Sequence, residues 1–148
     1  MAGTGARVRY RPPTGSGATS PKLLANEGAV GPFGRLNKNV GKKGDNITAH
    51  HIPSDTYMKA KVPGYTRDEG IAIMMEQPSP GVGGRHRRTL SYGTSPDLTR
   101  TPKQALIEEV LDARQRYIED GLFTPEIEEA LIDVIRQNLM KYPQAFSK

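Results

Sequence analysis

The chain has no cysteine and no tryptophan, and aromatic residues make up only 6% of its 148 positions. Without cysteine there can be no disulfide framework, no thiolate zinc site and no thiol nucleophile. The zinc deaminase signature, which needs paired cysteines, is excluded in its usual form. The shortage of aromatics argues against a surface that binds nucleic acid by stacking successive bases. Long apolar runs are also missing. Nothing approaches the roughly 18 residues of a membrane-spanning helix, and the N-terminus lacks the apolar segment of a signal peptide. Histidine is scarce as well, with only His50, His51 and His86.

What is abundant is positive charge, and it is unevenly placed. Residues 1–92 hold 14 basic and 6 acidic side chains, net +8, whereas residues 93–148 hold 7 and 10, net −3; the two sum to the overall +5. A basic half beside an acidic half points to a polyanionic partner for one part of the molecule. The competing reading is a solvated basic surface.

The length suits one domain with a tail. Residues 1–30 read as a flexible linker or tail, 31–100 as a core, and 101–148 as a helical hairpin appended to it. Val8–Arg11 could pair as a short strand, and Pro12–Gly17 has linker composition. The turn Gly31-Pro32-Phe33-Gly34-Arg35-Leu36 precedes a basic, flexible stretch. Asp45–Ile52 has strand character and should stop at Pro53, which cannot donate to a ladder. Ser54 and Asp55 suit the cap of a short helix over 56–61. Gly70–Met75 is a compact apolar run, expected to be a buried strand paired beside the histidines. Thr101-Pro102 and Thr124-Pro125 each give a helix start. Leu106, Val110, Ala113 and Tyr117, widened by Ile107, Leu111 and Ile118, form one apolar stripe; Ile127, Leu131, Val134, Ile135 and Leu139 form a second. The expected fold class is α+β: a small two-strand-plus-helix core followed by an antiparallel helical hairpin.

The chemistry centres on Asp45-Asn46-Ile47-Thr48-Ala49-His50-His51-Ile52-Pro53 and on Gly84-Arg85-His86-Arg87-Arg88-Thr89. A neutral imidazole binds a metal ion or takes a proton from water. An adjacent guanidinium can hold a phosphate. These are the parts of a metal-assisted phosphodiesterase. Adjacent histidines on a strand face opposite sides, so one of them could equally be a buried structural residue.

The order of these pieces is a Gly-x-Phe-Gly-x-Leu turn, then His-His-Ile-Pro, an apolar strand, and a single His followed by Arg and Thr. It resembles the HNH and endonuclease VII superfamily over roughly residues 31–92. The closest likeness is to nuclease domains at the C-termini of bacterial polymorphic toxins, including Rhs-type proteins. The resemblance implies a fold of two strands and a helix around one divalent metal ion; the sparse ligand set favours magnesium, with zinc or manganese as alternatives. It implies His50 and His86 as metal ligands and His51 as the general base. Arg87 would stabilise charge in the transition state, and Arg85 and Arg88 would bind substrate. The pattern departs from the family at Leu90, where a further ligand is often found, and it has no counterpart of the central Asn; Asp45 and Asp55 are candidate oxygen donors. The implied substrate is nucleic acid, DNA favoured over RNA. The implied setting is a toxin domain of a larger secreted or delivered protein, acting in the target cytoplasm and held in check by a cognate immunity protein. Two other readings remain: a non-catalytic module binding nucleic acid or a partner, and a toxin of another activity such as ADP-ribosyl transfer.

Overall fold

A computed structural model describes residues 20–79 and 81–147. The stretches read as a possible strand at 8–11 and a linker at 12–17 lie outside the described residues. The fold is α+β, with a three-stranded antiparallel sheet and four helices. In chain order these are β1 (Val30–Pro32), α1 (Phe33–Asn39), β2 (Ile47–His51), α2 (Asp55–Lys61), β3 (Ile71–Glu76), α3 (Pro102–Glu119) and α4 (Pro125–Lys141). Short 3-10 turns at Arg67–Glu69 and His86–Arg88 flank β3.

β3 is the central strand, in the order β1-β3-β2. All six of its residues are buried; the first five form an uninterrupted apolar run, and the sixth is the buried carboxylate Glu76. Its two faces carry different layers. Ile71, Ile73 and Met75 pack with Ala105, Leu106, Val110 and Tyr117 of α3 and with Ile127, Leu131 and Val134 of α4. Ala72 and Met74, on the opposite face, pack with Ala49 and with Leu36 of α1. The hairpin of α3 and α4 therefore forms the second layer of the core. The partner strand β2 runs antiparallel in the register Thr48↔Met75, His50↔Ile73 and His51↔Ala72. Directly opposed residues share a face, so His50 lies on the α3/α4 side of the sheet and His51 on the α1 side.

The caps behave as their chemistry dictates. Ser54 accepts the Tyr57 N–H at the start of α2. Thr101 and Gln104 form a reciprocal capping box on α3, and Thr124 caps α4.

Several expectations change. The expected two-strand core has a third strand, and the stretch read as a turn and a flexible run is β1 followed by α1. Residues 20–30, read as the end of a tail, lie on the domain, with Leu23 and Val30 against the core and Glu27 bound to Arg85. Ile107, Leu111 and Ile118 do not widen a buried stripe; they stay exposed, because Leu106, Val110 and Tyr117 already fill the inward arc one residue (about 100°) away. Leu139 is exposed for a similar reason: the inward position belongs to buried Asn138, whose amide donates to the carbonyls of Ile52 and Val134 at 2.8 and 2.9 Å.

Candidate active site

The three histidines converge. His50 and His51 sit at the end of β2, and His86 opens the 3-10 turn that follows the loop after β3. All three line one open cleft of about 270 Å³, together with Thr48, Asp55, Arg67 and Tyr92. The rings of His50 and His86 meet edge to face, 4.9 Å between centroids, and Tyr92 closes on His86 at 5.3 Å. The element carrying His86 is a 3-10 turn of three residues, where the family resemblance implied an α-helix.

His51 is held on three sides. Its ring stacks on Phe33, with centroids 4.3 Å apart and planes 18° from parallel. Its Nε2 lies 2.9 Å from the main-chain oxygen of Arg67. Gly70 packs against its edge, where a Cβ would stand 2.8 Å from the His51 Cδ2 and 2.1 Å from the Tyr65 hydroxyl. The contact with Arg67 fixes the tautomer, because a carbonyl can only accept. Nε2 must carry the proton, and Nδ1 of a neutral ring keeps its lone pair.

All three rings are held neutral at neutral pH. Burial drives the His50 pKa well below the usual value, reinforced by His86 and His51. Burial, with help from Arg87, lowers that of His86 to about 4. Burial also lowers His51, opposed by its hydrogen bond to the Arg67 carbonyl and by Asp55. His86 Nδ1 meets the Gln77 side-chain oxygen, so the proton belongs on Nδ1 and the lone pair on Nε2.

The arginines flanking His86 are placed otherwise than the sequence suggests. Arg85 is fully buried. Its Nε and Nη2 grip the two oxygens of Glu27 at 2.8 Å each, and Nη1 reaches Asp120 at 2.9 Å. Its remaining donors go to the carbonyls of Ser20 and Lys22 at 3.0 and 3.1 Å. No N–H is left for a phosphate, so the assignment of Arg85 to substrate is corrected: it is the buried cation joining residues 20–27 to β3 and the end of α3. Arg88 likewise binds Glu119 and Asp120 at 2.7 and 2.6 Å. Arg87 holds the carbonyls of Pro78 and Gly83 at 2.9 and 3.1 Å and does not line the cleft. For Arg85 and Arg88 the reason is distance along the chain. The acidic partners Glu27 and Asp120 lie 58 and 35 positions from Arg85, outside any local pattern.

The cation that does line the cleft is Arg67, which the sequence reading missed. Its side chain is 57% exposed and is tied to Asp55 at 3.4 Å, with its guanidinium carbon 4.6 Å from the Phe33 ring centroid. One aromatic ring thus seats both the imidazole of His51 and the guanidinium of Arg67. Nothing local in Tyr-Thr-Arg-Asp-Glu-Gly marks this arginine; its place follows from packing against Phe33.

Of the two candidate oxygen donors only Asp45 is fully engaged; Asp55, which lines the cleft, buries its Oδ1 without a hydrogen-bond partner among the described residues. Asp45 accepts main-chain N–H groups of Lys42 and Ile47, and one Asp55 oxygen is shared by Lys59 and Arg67. Among the described residues no group of three or more His, Asp or Glu is arranged to hold a metal ion. What the cleft presents is the neutral imidazoles of His50 and His86, with the Asp55 carboxylate also among its lining residues. Among the described residues no helix is long and apolar enough to cross a membrane. No protein-family model, curated protein or solved structure matches this chain.

Proposed function

We propose that the protein is a metal-dependent endonuclease that hydrolyses phosphodiester bonds in nucleic acid. The observation that carries this reading is the His51 tautomer. Its Nε2–H is committed to the Arg67 carbonyl, which leaves Nδ1 as the free lone pair of a ring that lines the cleft. That is what a general base for water requires.

In the proposed reaction a water oxygen attacks phosphorus while Nδ1 of His51 takes its proton. The bond from phosphorus to the leaving nucleoside oxygen breaks, and solvent protonates that oxygen. Arg67 offsets the negative charge that gathers on the phosphoryl oxygens, a role given to Arg87 on sequence grounds and better suited to a guanidinium already in the cleft. His50 and His86 would hold a divalent ion. Such an ion supplies positive charge at the phosphoryl and leaving oxygens. Imidazole nitrogens suit a transition ion such as zinc, though zinc in catalytic sites usually has three protein ligands; magnesium, favoured on the sparse ligand set, takes oxygen ligands and would lean on water, phosphate oxygens and the Asp55 carboxylate. The toxin setting and the immunity partner rest on the sequence resemblance, and their test is growth arrest on cytoplasmic expression.

The decisive experiment incubates the purified chain with supercoiled plasmid DNA and with total RNA, with magnesium, manganese, zinc or EDTA. Metal-dependent cleavage is expected, and His51→Ala should lower its rate by about 10²–10⁴ with substrate affinity unchanged. His50→Ala should raise the metal concentration needed for activity. A folded His51→Ala protein that cuts at the wild-type rate would end this mechanism.

A further inference from the structure

The histidine cleft has two unlike neighbours. At Ser54 and Ser91 it adjoins a cavity of about 350 Å³ that carries the carboxylates of Asp97, Glu108 and Glu109. The one cation there, Arg100, is already paired with Asp97 and Glu108 at 3.6 and 3.1 Å. A phosphate chain finds no unpaired cation on that side.

At Thr48 the cleft adjoins a different groove, about 260 Å³ in volume, lined by Asn37, Lys42, Lys43 and Asp45. Residues 33–43 contain four basic side chains and no acidic one. Lys42 and Lys43 are exposed, and neither forms an ion pair among the described residues. The loop that presents them is pinned. Asp45 accepts the N–H of Lys42 at 2.6 Å and of Ile47 at 3.2 Å, which occupies both of its oxygens. Gly44 and Asn46 turn the chain with φ of +80° and +60°. Asn46 in turn receives the N–H of Gln77 at 2.7 Å and of Ser79 at 3.1 Å. Two unpaired ammonium groups on a fixed loop meet a polyanion at a lower ordering cost than they would on a free one.

We infer that the Lys42–Lys43 groove is a phosphate-binding extension of the His51 cleft, which receives the backbone of a nucleic acid on one side of the bond to be cut. The identification of the cleft rests on the nuclease reading; the binding site itself can be tested without cleavage. It also replaces Arg85 and Arg88 as the anchoring cations, and it makes the substrate enter over Thr48 and not over Ser91.

The test is fluorescence anisotropy of the full chain with a labelled single-stranded 20-mer, DNA and RNA of one sequence, titrated with salt in EDTA. Lys42→Ala/Lys43→Ala should reduce the slope of log K against log salt by about 1.4, at about 0.7 per phosphate contact on a single strand, and weaken binding about tenfold near 0.15 M salt. Lys42→Glu/Lys43→Glu should weaken it further. Lys103→Ala/Lys141→Ala removes the same charge from α3 and α4 and should leave the slope unchanged. An unchanged slope in the first variant, or an equal fall in the control, overturns the groove; so does a wild-type chain that binds neither oligonucleotide. A wild-type chain that binds through these lysines yet never cuts sustains the groove and removes the nuclease reading. Cleavage with slope and KM indifferent to Lys42 and Lys43 does the reverse.

Discussion

Replacing Arg85 with methionine separates a structural cation from a substrate-binding one. In the native chain burial pushes the Glu27 carboxyl up, but the hydrogen bonds and charge of Arg85, with donors from Leu24 and Tyr117, bring it below its ordinary value. Without the guanidinium, Glu27 stays buried beside Glu76, and Asp120 keeps only Arg88. Breaking a buried charge pair from one side costs about 3–5 kcal/mol. That is a large part of the 5–15 kcal/mol typical of a folded domain. At about 2–4 °C per kcal/mol for chains near this size, Tm should fall by about 6–20 °C. The deficit should be larger at pH 8 than at pH 5, because the stranded carboxyls are then forced to ionise in a buried place. Arg85→Lys should fall between the two, since an ammonium offers three donors where the guanidinium uses five. Thermal and guanidinium unfolding followed by circular dichroism give the numbers, and oligonucleotide affinity below the melt should not change. An Arg85→Met protein with wild-type Tm, or one that stays folded but loses nucleic-acid affinity, would refute the assignment.

Arg67→Ala should lower the cleavage rate by about 10²–10³, the scale of losing one donor that stabilises charge in a transition state. It should shift stability by no more than about 0.5 kcal/mol, as for an exposed side chain, which a nicking assay and a melt check together. Gly70→Ala drives a methyl group into the His51 ring and the Tyr65 hydroxyl; activity should fall at least as far as in His51→Ala, with an added loss of Tm. Glu109 controls a pH dependence of stability: burial raises its carboxyl from the ordinary 4.5 to about 7, against the Ser54 N–H and with help from Asp112 and Glu108. The unfolded chain releases this proton near 4.5 and the native chain near 7, so the stability it contributes is full below pH 4.5 and is lost as pH rises to 7. The loss is about 3 kcal/mol, at 1.36 kcal/mol per pH unit. Glu109→Gln should be flatter than wild type over that window and more stable at pH 8; parallel curves for the two proteins would contradict it.

The sequence displays what is local. Ile71–Met75 is apolar throughout because β3 is covered on both faces, and the Thr-Pro starts of α3 and α4 carry their own caps. The histidine pair and His86 stand out because imidazole is scarce in the chain. What was hidden depends on remote partners. Three residues, Val30–Pro32, hold too little pattern to mark β1, which exists because Ile71–Ile73 pair with it. α1 has the composition of a loop and is fixed by burial of Leu36. The run Arg85-His86-Arg87-Arg88 has the form of a phosphate clamp; distant carboxylates ion-pair two of its arginines, and the third is spent on the carbonyls of its own loop.

Position 67 does two separable things. Its guanidinium belongs to arginine alone, whereas the oxygen that receives His51 Nε2–H belongs to the peptide bond and is supplied by any amino acid. A saturation library at this codon would therefore rank variants by the guanidinium only, and every member would inherit a correctly poised imidazole. Drift in evolution could tune charge in the cleft by exchanging one side chain while the proton acceptor stayed intact. Changes that displace the His51 ring would instead accumulate at neighbours that shape the turn, Gly70 above all, where any side chain meets His51 and Tyr65.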